Sequence, residues 1–149
     1  MVLDTILAYL HFAAILAVAG FLVAEAMLLR GDLGGRDVAA LSRSDIGYFG
    51  AAGLTLATGL ARVFFGARGA AFYAGNPAFW TKLGLFLAVG LVSIKPTIDF
   101  IRWRRAAGDA GYSVPAAEVR RARRLVLAEL HLLALIPLAA VLMARGIGN

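Results

Sequence analysis

The chain has 149 residues, of which 61% are hydrophobic and 16% are charged, and its formal net charge at pH 7 is +6. Soluble domains carry about 45–50% apolar and about 25% charged residues, and a small globule has too little interior to hide this much apolar side chain. The composition excludes an ordinary soluble domain and a disordered chain, and it predicts a single membrane-embedded domain over residues 1–149.

The first hydrophobic span covers about residues 6–29 and is interrupted by His11 and Glu25. At about 1.5 Å per residue, a helix of this length crosses a hydrocarbon core of about 30 Å with some tilt. We do not expect a signal peptide, because Asp4 precedes the run and no basic segment does.

Three further spans follow, at about residues 46–65, 79–101 and 125–144. The second span is rich in glycine, which lets helix backbones approach closely in lipid, so we expect it to be central in the packing. Pro96 and Pro137 lie inside the last two spans, and we expect each to bend its helix. The pattern predicts an all-α, four-helix transmembrane bundle that forms homo-oligomers, with the second span as a candidate contact face.

The connections 30–45, 68–77 and 102–124 are polar and are predicted to be loops. Most of the 15 Lys and Arg residues fall in the first and third connections: Arg30, Arg36, Arg43, Arg102, Arg104, Arg105, Arg120, Arg121, Arg123 and Arg124. The opposite side carries Arg62, Arg68, Lys82 and Arg145. Because cytoplasmic loops are enriched in Lys and Arg, we expect both termini outside the cytoplasm of a bacterial inner membrane. The arginine run 120–124 is expected to contact anionic lipid headgroups, and a nucleic-acid partner is not expected.

The ionisable residues within the spans are the candidates for function, since such groups are costly in hydrocarbon. An outer layer contains His11, Arg62 and Lys82. A haem or another porphyrin would suit this layer, because an imidazole ligates iron and cations bind propionates. Alternatively, Arg62 and Lys82 extend to the outer headgroups and His11 is a hydrogen-bonded packing residue.

An inner layer contains five ionisable residues: Glu25, Lys95, Asp99, Glu129 and His131. Lys95 and Asp99 share a helix face because they are four residues apart. The layer is interpreted either as interior ion pairs that fix helix register or as a proton path from the cytoplasm. His11 and His131 differ in depth by more than about 10 Å, so one iron held by both is not expected.

The overall pattern resembles a family of uncharacterised bacterial four-helix membrane proteins over nearly the whole chain. Three segments, residues 7–11 (LAYLH), 79–83 (FWTKL) and 128–130 (AEL), are similar to the membrane-embedded protoporphyrinogen IX oxidase family. They are more loosely similar to copper-resistance D-type membrane domains. The oxidase resemblance implies that His11 binds haem b, that Lys82 is functionally important and, more weakly, that Glu129 is a site residue.

This chain departs from the oxidase pattern in two places. Residues 13–18 are aliphatic where the oxidases carry a Trp with aromatic and basic residues, and residues 93–96 read SIKP where the oxidases carry Tyr-His. The resemblance therefore implies haem binding more strongly than it implies the oxidase activity.

The leading hypothesis is a haem-b-binding membrane protein that takes part in redox or porphyrin chemistry, with protoporphyrinogen oxidation as its most specific form. His11 is the expected iron ligand, Arg62 and Lys82 are expected near the propionates, and Lys82 and Glu129 are the candidate catalytic residues. Two alternatives are a small proton-coupled transporter that uses Glu25, Lys95, Asp99 and Glu129, and an accessory membrane subunit without chemistry of its own.

Overall fold

The computed structural model describes residues 2–66, 69–109 and 111–144. These residues form five helices: α1 (Val2–Leu28), α2 (Gly35–Phe65), α3 (Gly69–Ala74), α4 (Pro77–Ala106) and α5 (Ala116–Ala144). Within this part of the chain, α1, α2, α4 and α5 are long and apolar enough to cross a membrane, which confirms the predicted all-α transmembrane fold. Arg68 and Arg145, which contribute to the predicted orientation, lie outside the described residues.

The long helices extend beyond the predicted apolar spans. Helix α2 begins at Gly35 rather than near residue 46, and α5 begins at Ala116 rather than near residue 125. The added turns carry a buried apolar face, which includes Val38, Leu41 and Val119. A helix continues as long as one face packs, so it is not limited to the length that crosses the hydrocarbon core.

The short helix α3 occupies the connection that the sequence predicts to be a loop. Gly69 opens it with φ at 73°, a left-handed conformation that glycine adopts without steric cost. The Tyr73 ring then packs on Phe79 of α4, with centroids 5.5 Å apart. Asn76 ends the connection, because its side chain accepts a hydrogen bond from the Ala78 N–H at 3.0 Å and caps α4.

The four long helices form a ring in which each helix packs against two neighbours. Contact is most extensive within the hairpins α1–α2 and α4–α5, and α1–α5 and α2–α4 contacts close the ring. The Val114 N–H donates to the Leu33 carbonyl at 3.1 Å, so the connections after α1 and α4 meet at one end. We call this the arginine-rich end, because residues 30–45 and 102–124, which include the adjoining helix ends, carry most of the arginines, and we call the opposite end the α3 end.

Glycines of α2 allow close contact with α1, as the composition of the second span predicts. A Cβ at Gly47 would overlap the Phe21 ring, and a Cβ at Gly59 would lie 3.1 Å from Cε1 of His11. Gly50 and Gly53 face open space among the described residues. Of the four glycines in the second apolar span, Gly47 and Gly59 therefore serve the packing within the chain, and Gly50 and Gly53 lie on the outer surface of the bundle.

The outer surface is apolar and the interior contains polar groups. Large hydrophobic side chains such as Phe12, Leu16, Leu91 and Ile98 are more than half exposed. Glu25, Asp99 and Glu129 are almost completely buried. Lipid acyl chains solvate such an exterior, and ionisable groups in membrane proteins face the bundle interior.

Candidate functional site

A cavity of about 180 Å³ lies between the long helices toward the α3 end. His11 of α1, Arg62 of α2 and Lys82 of α4 all line it, so the structure brings the three residues of the predicted outer layer together. Most of the remaining wall is apolar and comprises Ile15, Val18, Leu56, Gly59, Leu60, Val63, Phe79, Leu83, Phe86, Leu133 and Ile136, with Thr55 and Tyr73 as further polar members.

The imidazole of His11 is held in a defined orientation by α2. Nδ1 lies 3.0 Å from the carbonyl oxygen of Thr55 and 3.1 Å from Oγ1 of Thr58. A carbonyl oxygen only accepts hydrogen bonds, so Nδ1 carries the proton and donates. In the neutral imidazole Nε2 then keeps its lone pair, and a histidine that ligates a metal commonly has this arrangement.

Two cationic side chains accompany the imidazole on the cavity wall. The charges of Arg62 and Lys82 both act on His11. Nε of Arg62 is enclosed and has no hydrogen-bond acceptor among the described residues. A buried donor without an acceptor costs about 1–3 kcal/mol, so an anionic ligand in the cavity would relieve this cost.

The aromatic residues near the predicted outer layer divide between the cavity and the lipid. Tyr73 and Phe79 line the cavity. Tyr9 and Trp80 are 72% and 55% exposed, and Nε1 of Trp80 donates to the Ala74 carbonyl at 3.0 Å. All three of Tyr9, Tyr73 and Trp80 are expected near the outer interface from the sequence; Tyr9 and Trp80 are exposed as interface residues are, whereas Tyr73 lines the cavity.

The predicted inner layer separates into three parts, and the first is an ion-pair network. Nζ of Lys95 lies 2.5 Å from Oδ1 of Asp99. Arg102 and Arg121 also reach this carboxylate, at 3.1 and 3.2 Å. Asp99 is 1% exposed and the cations are about half exposed, so the network joins α4 to α5 at the arginine-rich end. For Lys95 and Asp99, the ion-pair interpretation is the one that the geometry supports.

The second part is a group of carboxyl side chains in the bundle interior. Glu25 and Glu129 are 2% and 1% exposed, and Asp45 of α2 lies beside them. Asp45 is not among the residues predicted for the inner layer, because it ends the stretch 30–45 that is predicted to be a polar loop. The helix that begins at Gly35 turns Asp45 inward.

The third part is His131, which does not join the other members of the predicted inner layer. Its side chain is exposed, and Nδ1 donates to the Leu127 carbonyl of its own helix at 2.5 Å. Two residues along a helix correspond to a rotation of about 200°, so a buried Glu129 places His131 on the outer face.

The two candidate catalytic residues lie in different places. Lys82 lines the cavity and Glu129 does not. Leu133, one turn beyond Glu129 on α5, forms part of the cavity wall. A helical turn rises about 5.4 Å, so the Glu129 carboxyl lies beneath the cavity rather than within it.

These features define a four-span membrane protein with an imidazole and two cations on the wall of one cavity and a separate group of buried carboxyls. The chain belongs to the family described as "Predicted membrane protein (DUF2214)", whose model matches residues 3–148. This match confirms the predicted resemblance to an uncharacterised membrane protein family, and the family carries no assigned function. No curated protein and no solved structure matches the chain.

Proposed function

We propose that the protein binds haem b, or a related tetrapyrrole dicarboxylate, in the cavity at the α3 end. His11 would supply Nε2 to the iron, and Arg62 and Lys82 would bind the propionates. The observation that carries the proposal is the hydrogen bond from Nδ1 of His11 to the Thr55 carbonyl, which leaves Nε2 with its lone pair. Bound haem would supply a redox-active iron whose potential depends on the surrounding polarity and on its axial ligands.

The residues of the cavity fit the charge and the polarity of a tetrapyrrole. The unsatisfied Nε of Arg62 needs an acceptor, which a propionate supplies. The apolar wall suits the macrocycle. The cavity volume of about 180 Å³ is below the range of about 300–1,000 Å³ that is typical of small-molecule sites. A tetrapyrrole would therefore be partly enclosed by protein, with the remainder in contact with lipid acyl chains.

The more specific part of the proposal is an oxidoreductase resembling the protoporphyrinogen IX oxidases. Lys82 is positioned to contact an occupant of the cavity. Glu129, beneath the cavity, would act on an occupant only through intervening groups. We therefore propose Lys82 as a binding and candidate catalytic residue, and the role of Glu129 is addressed separately below.

The spectroscopic test uses His131→Ala as a matched control for His11→Ala. The protein is expressed with an ample supply of haem, purified in detergent and measured by absorption spectroscopy. We expect a Soret band that His11→Ala abolishes and that His131→Ala leaves unchanged, because His131 faces outward. Colourless wild-type protein, or a band that survives in His11→Ala, would refute the proposal.

The contribution of the cations is tested by haem titration of the apoprotein. A charge-assisted hydrogen bond contributes about 1.5–3 kcal/mol, so we expect Arg62→Gln to weaken haem binding by about 10- to 100-fold. If Arg62 and Lys82 instead extend to the lipid headgroups, their neutral variants will bind haem as tightly as the wild type.

We also propose that the arginine-rich end faces the cytoplasm of a bacterial inner membrane, because most of the arginines lie in residues 30–45 and 102–124 at this end. The chain has no cysteine, so a single introduced cysteine reports its own accessibility. Gly75→Cys at the α3 end should react with an impermeant maleimide in intact spheroplasts. Asp109→Cys at the arginine-rich end should react only after lysis. The opposite labelling pattern would reverse the proposed orientation.

Homo-oligomerisation and the two alternative functions are tested on the same preparation. Light scattering coupled to size-exclusion chromatography measures the number of chains in each particle, and we propose that each particle contains more than one chain.

Proton-coupled transport is favoured by the buried carboxyls Glu25 and Glu129. It requires that Glu25→Gln or Glu129→Gln abolish pH-dependent ligand binding while the protein remains folded. An accessory subunit would show neither a cofactor nor such binding.

A further inference from the structure

Three carboxyl side chains from three helices meet in the bundle interior between the arginine-rich end and the cavity. Glu25 of α1 is 2% exposed, Asp45 of α2 is 7% exposed and Glu129 of α5 is 1% exposed. The charges of Asp45 and Glu129 both act on Glu25, so the three groups are neighbours. We call them the carboxyl cluster.

Both glutamates lie toward the arginine-rich end, close enough for the charge of Glu129 to act on Glu25. Glu25 is five residues from Arg30, and Glu129 is five residues from Arg124. At about 1.5 Å per residue, each lies roughly 7 Å from the arginines of its own helix end. Two neighbouring carboxyls in a narrow bundle repel each other strongly when both are ionised.

The glutamates lack the partners that an ionised carboxylate needs. Oε1 of Glu25 and both carboxyl oxygens of Glu129 are fully enclosed, and none has a hydrogen-bond partner among the described residues. Asp45 differs, because its Oδ1 accepts a hydrogen bond from the Thr97 hydroxyl at 2.9 Å. The cluster therefore contains two glutamates without a charged partner, of which Glu129 faces the neutral hydroxyl of Tyr48, and one aspartate that is hydrogen-bonded to Thr97.

The groups that face the cluster from the surrounding helices do not neutralise it. Helix α2 contributes Tyr48, and α4 contributes the hydroxyl-bearing Ser93. Three basic residues of α4 and α5 are engaged elsewhere: Lys95 and Arg121 bind Asp99, and Nε of Arg123 lies 3.5 Å from the Ala26 carbonyl. Among the described residues, no Lys or Arg forms an ion pair with Glu25, Asp45 or Glu129.

Three chemical states are conceivable for buried carboxyls: ionised, metal-bound and protonated. Burial of an ionised carboxylate without a partner costs many kcal/mol, so two ionised carboxylates cannot lie side by side here. A metal would need converging ligands, and no group of three Asp, Glu or His side chains among the described residues has such geometry. Protonation removes the charge and needs no rearrangement.

We propose that Glu25 and Glu129 form a proton-binding site within the membrane, in which each carboxyl holds one proton at neutral pH. The ligand is the proton itself, and Asp45 is not assigned one because Thr97 already donates to it. This site is separate from the cavity at the α3 end, so the inference holds or fails without the tetrapyrrole proposal. A reversible proton site at this depth is the component that proton-coupled transport requires.

Infrared spectroscopy of the protein in lipid nanodiscs tests the proposal, because a protonated carboxyl has a C=O stretching band that an ionised one lacks. We expect the band at pH 7, with a shift in D₂O. Glu25→Gln and Glu129→Gln should each remove about half of its intensity, since two equivalent groups contribute. The double variant should lose the band. Glu118→Gln is the matched control, because Glu118 lies on α5 but is ion-paired with Arg102 and 32% exposed.

Thermal unfolding of the same variants provides a second test, which remains decisive if a substitution alters folding. Glutamine has the shape and neutrality of a protonated glutamate, so the thermal midpoints of both Gln variants should match or exceed that of the wild type. A wild-type protein without the band at pH 7 would overturn the proposal, as would Gln variants with strongly lowered midpoints. A band that Na⁺ or Ca²⁺ displaces at constant pH would also overturn it, because the site would then bind a metal cation.

Discussion

Replacement of Gly59 by alanine tests the contact that orients His11. A Cβ at this position would lie 3.1 Å from Cε1 and 3.5 Å from Nδ1 of the imidazole. Carbon atoms pack best at about 3.5–4.0 Å, so the ring must withdraw from α2 by about 0.4 Å or more. The Nδ1 distance to the Thr55 carbonyl, 3.0 Å in the wild type, would then exceed the usual hydrogen-bond range of about 2.7–3.2 Å.

The expected energy follows from a comparison with Gly53→Ala, which introduces a Cβ into open space on the same helix. Both variants gain the same helix propensity, which cancels in the difference. Gly59→Ala additionally loses a hydrogen bond of about 1 kcal/mol and overpacks the α1–α2 contact by about 1–3 kcal/mol. We therefore expect Gly59→Ala to be less stable than Gly53→Ala by about 2–4 kcal/mol.

The assay is unfolding by sodium dodecyl sulfate in mixed micelles, followed by circular dichroism, with a haem titration on the folded variants. In the His11→Ala background the steric conflict is absent, so Gly59→Ala should become as harmless as Gly53→Ala. Equal unfolding free energies for the two glycine variants in the wild-type background would refute the reasoning. So would an energy difference that persists without the imidazole.

Three further predictions concern the packing, the capping and the ion pairs. Gly47→Ala should lower the unfolding free energy by about 1–3 kcal/mol, because its Cβ would overlap the Phe21 ring, and Gly47→Ala combined with Phe21→Leu should recover part of this loss. Asn76→Ala removes the cap of α4 and should cost about 1 kcal/mol, whereas Asn76→Asp should retain most of the stability. Asp99→Asn leaves three cations without their carboxylate and should cost about 2 kcal/mol, while Lys95→Met should cost less than about 1 kcal/mol because two arginines remain. The same mixed-micelle unfolding assay measures all three, and an equal loss for Asp99→Asn and Lys95→Met would contradict the last.

The sequence was sufficient to predict the fold class, because apolar length alone identifies spans that cross a membrane. It was also sufficient to predict that His11, Arg62 and Lys82 lie together, since helical rise gives the depth of each residue. The ends of the helices were not predictable in this way. Helix α2 continues past its apolar span on a buried face that includes Val38, but the charged residues of the same stretch, such as Arg36 and Arg43, lower its mean hydropathy.

The composition of the inner layer was predicted less well, because depth does not give the direction in which a side chain points. His131 was grouped with Glu129 by depth, but the helix turns it to the lipid-facing surface. Asp45 was omitted because it adjoins a polar stretch, although it faces the interior. Lys95 and Asp99 were paired correctly, since their spacing fixes both depth and direction.

The hydrogen bond between Val114 and Leu33 has a mechanical consequence for the whole molecule. It links the α1–α2 hairpin to the α4–α5 hairpin at the arginine-rich end. Within the second hairpin, the ion pair between Asp99 and Arg121 also joins α4 to α5 at this end. At the α3 end the chain itself joins the hairpins, because α3 lies between α2 and α4 and contacts both. The two hairpins are therefore linked at both ends of the bundle, and neither end can open without breaking one of these links.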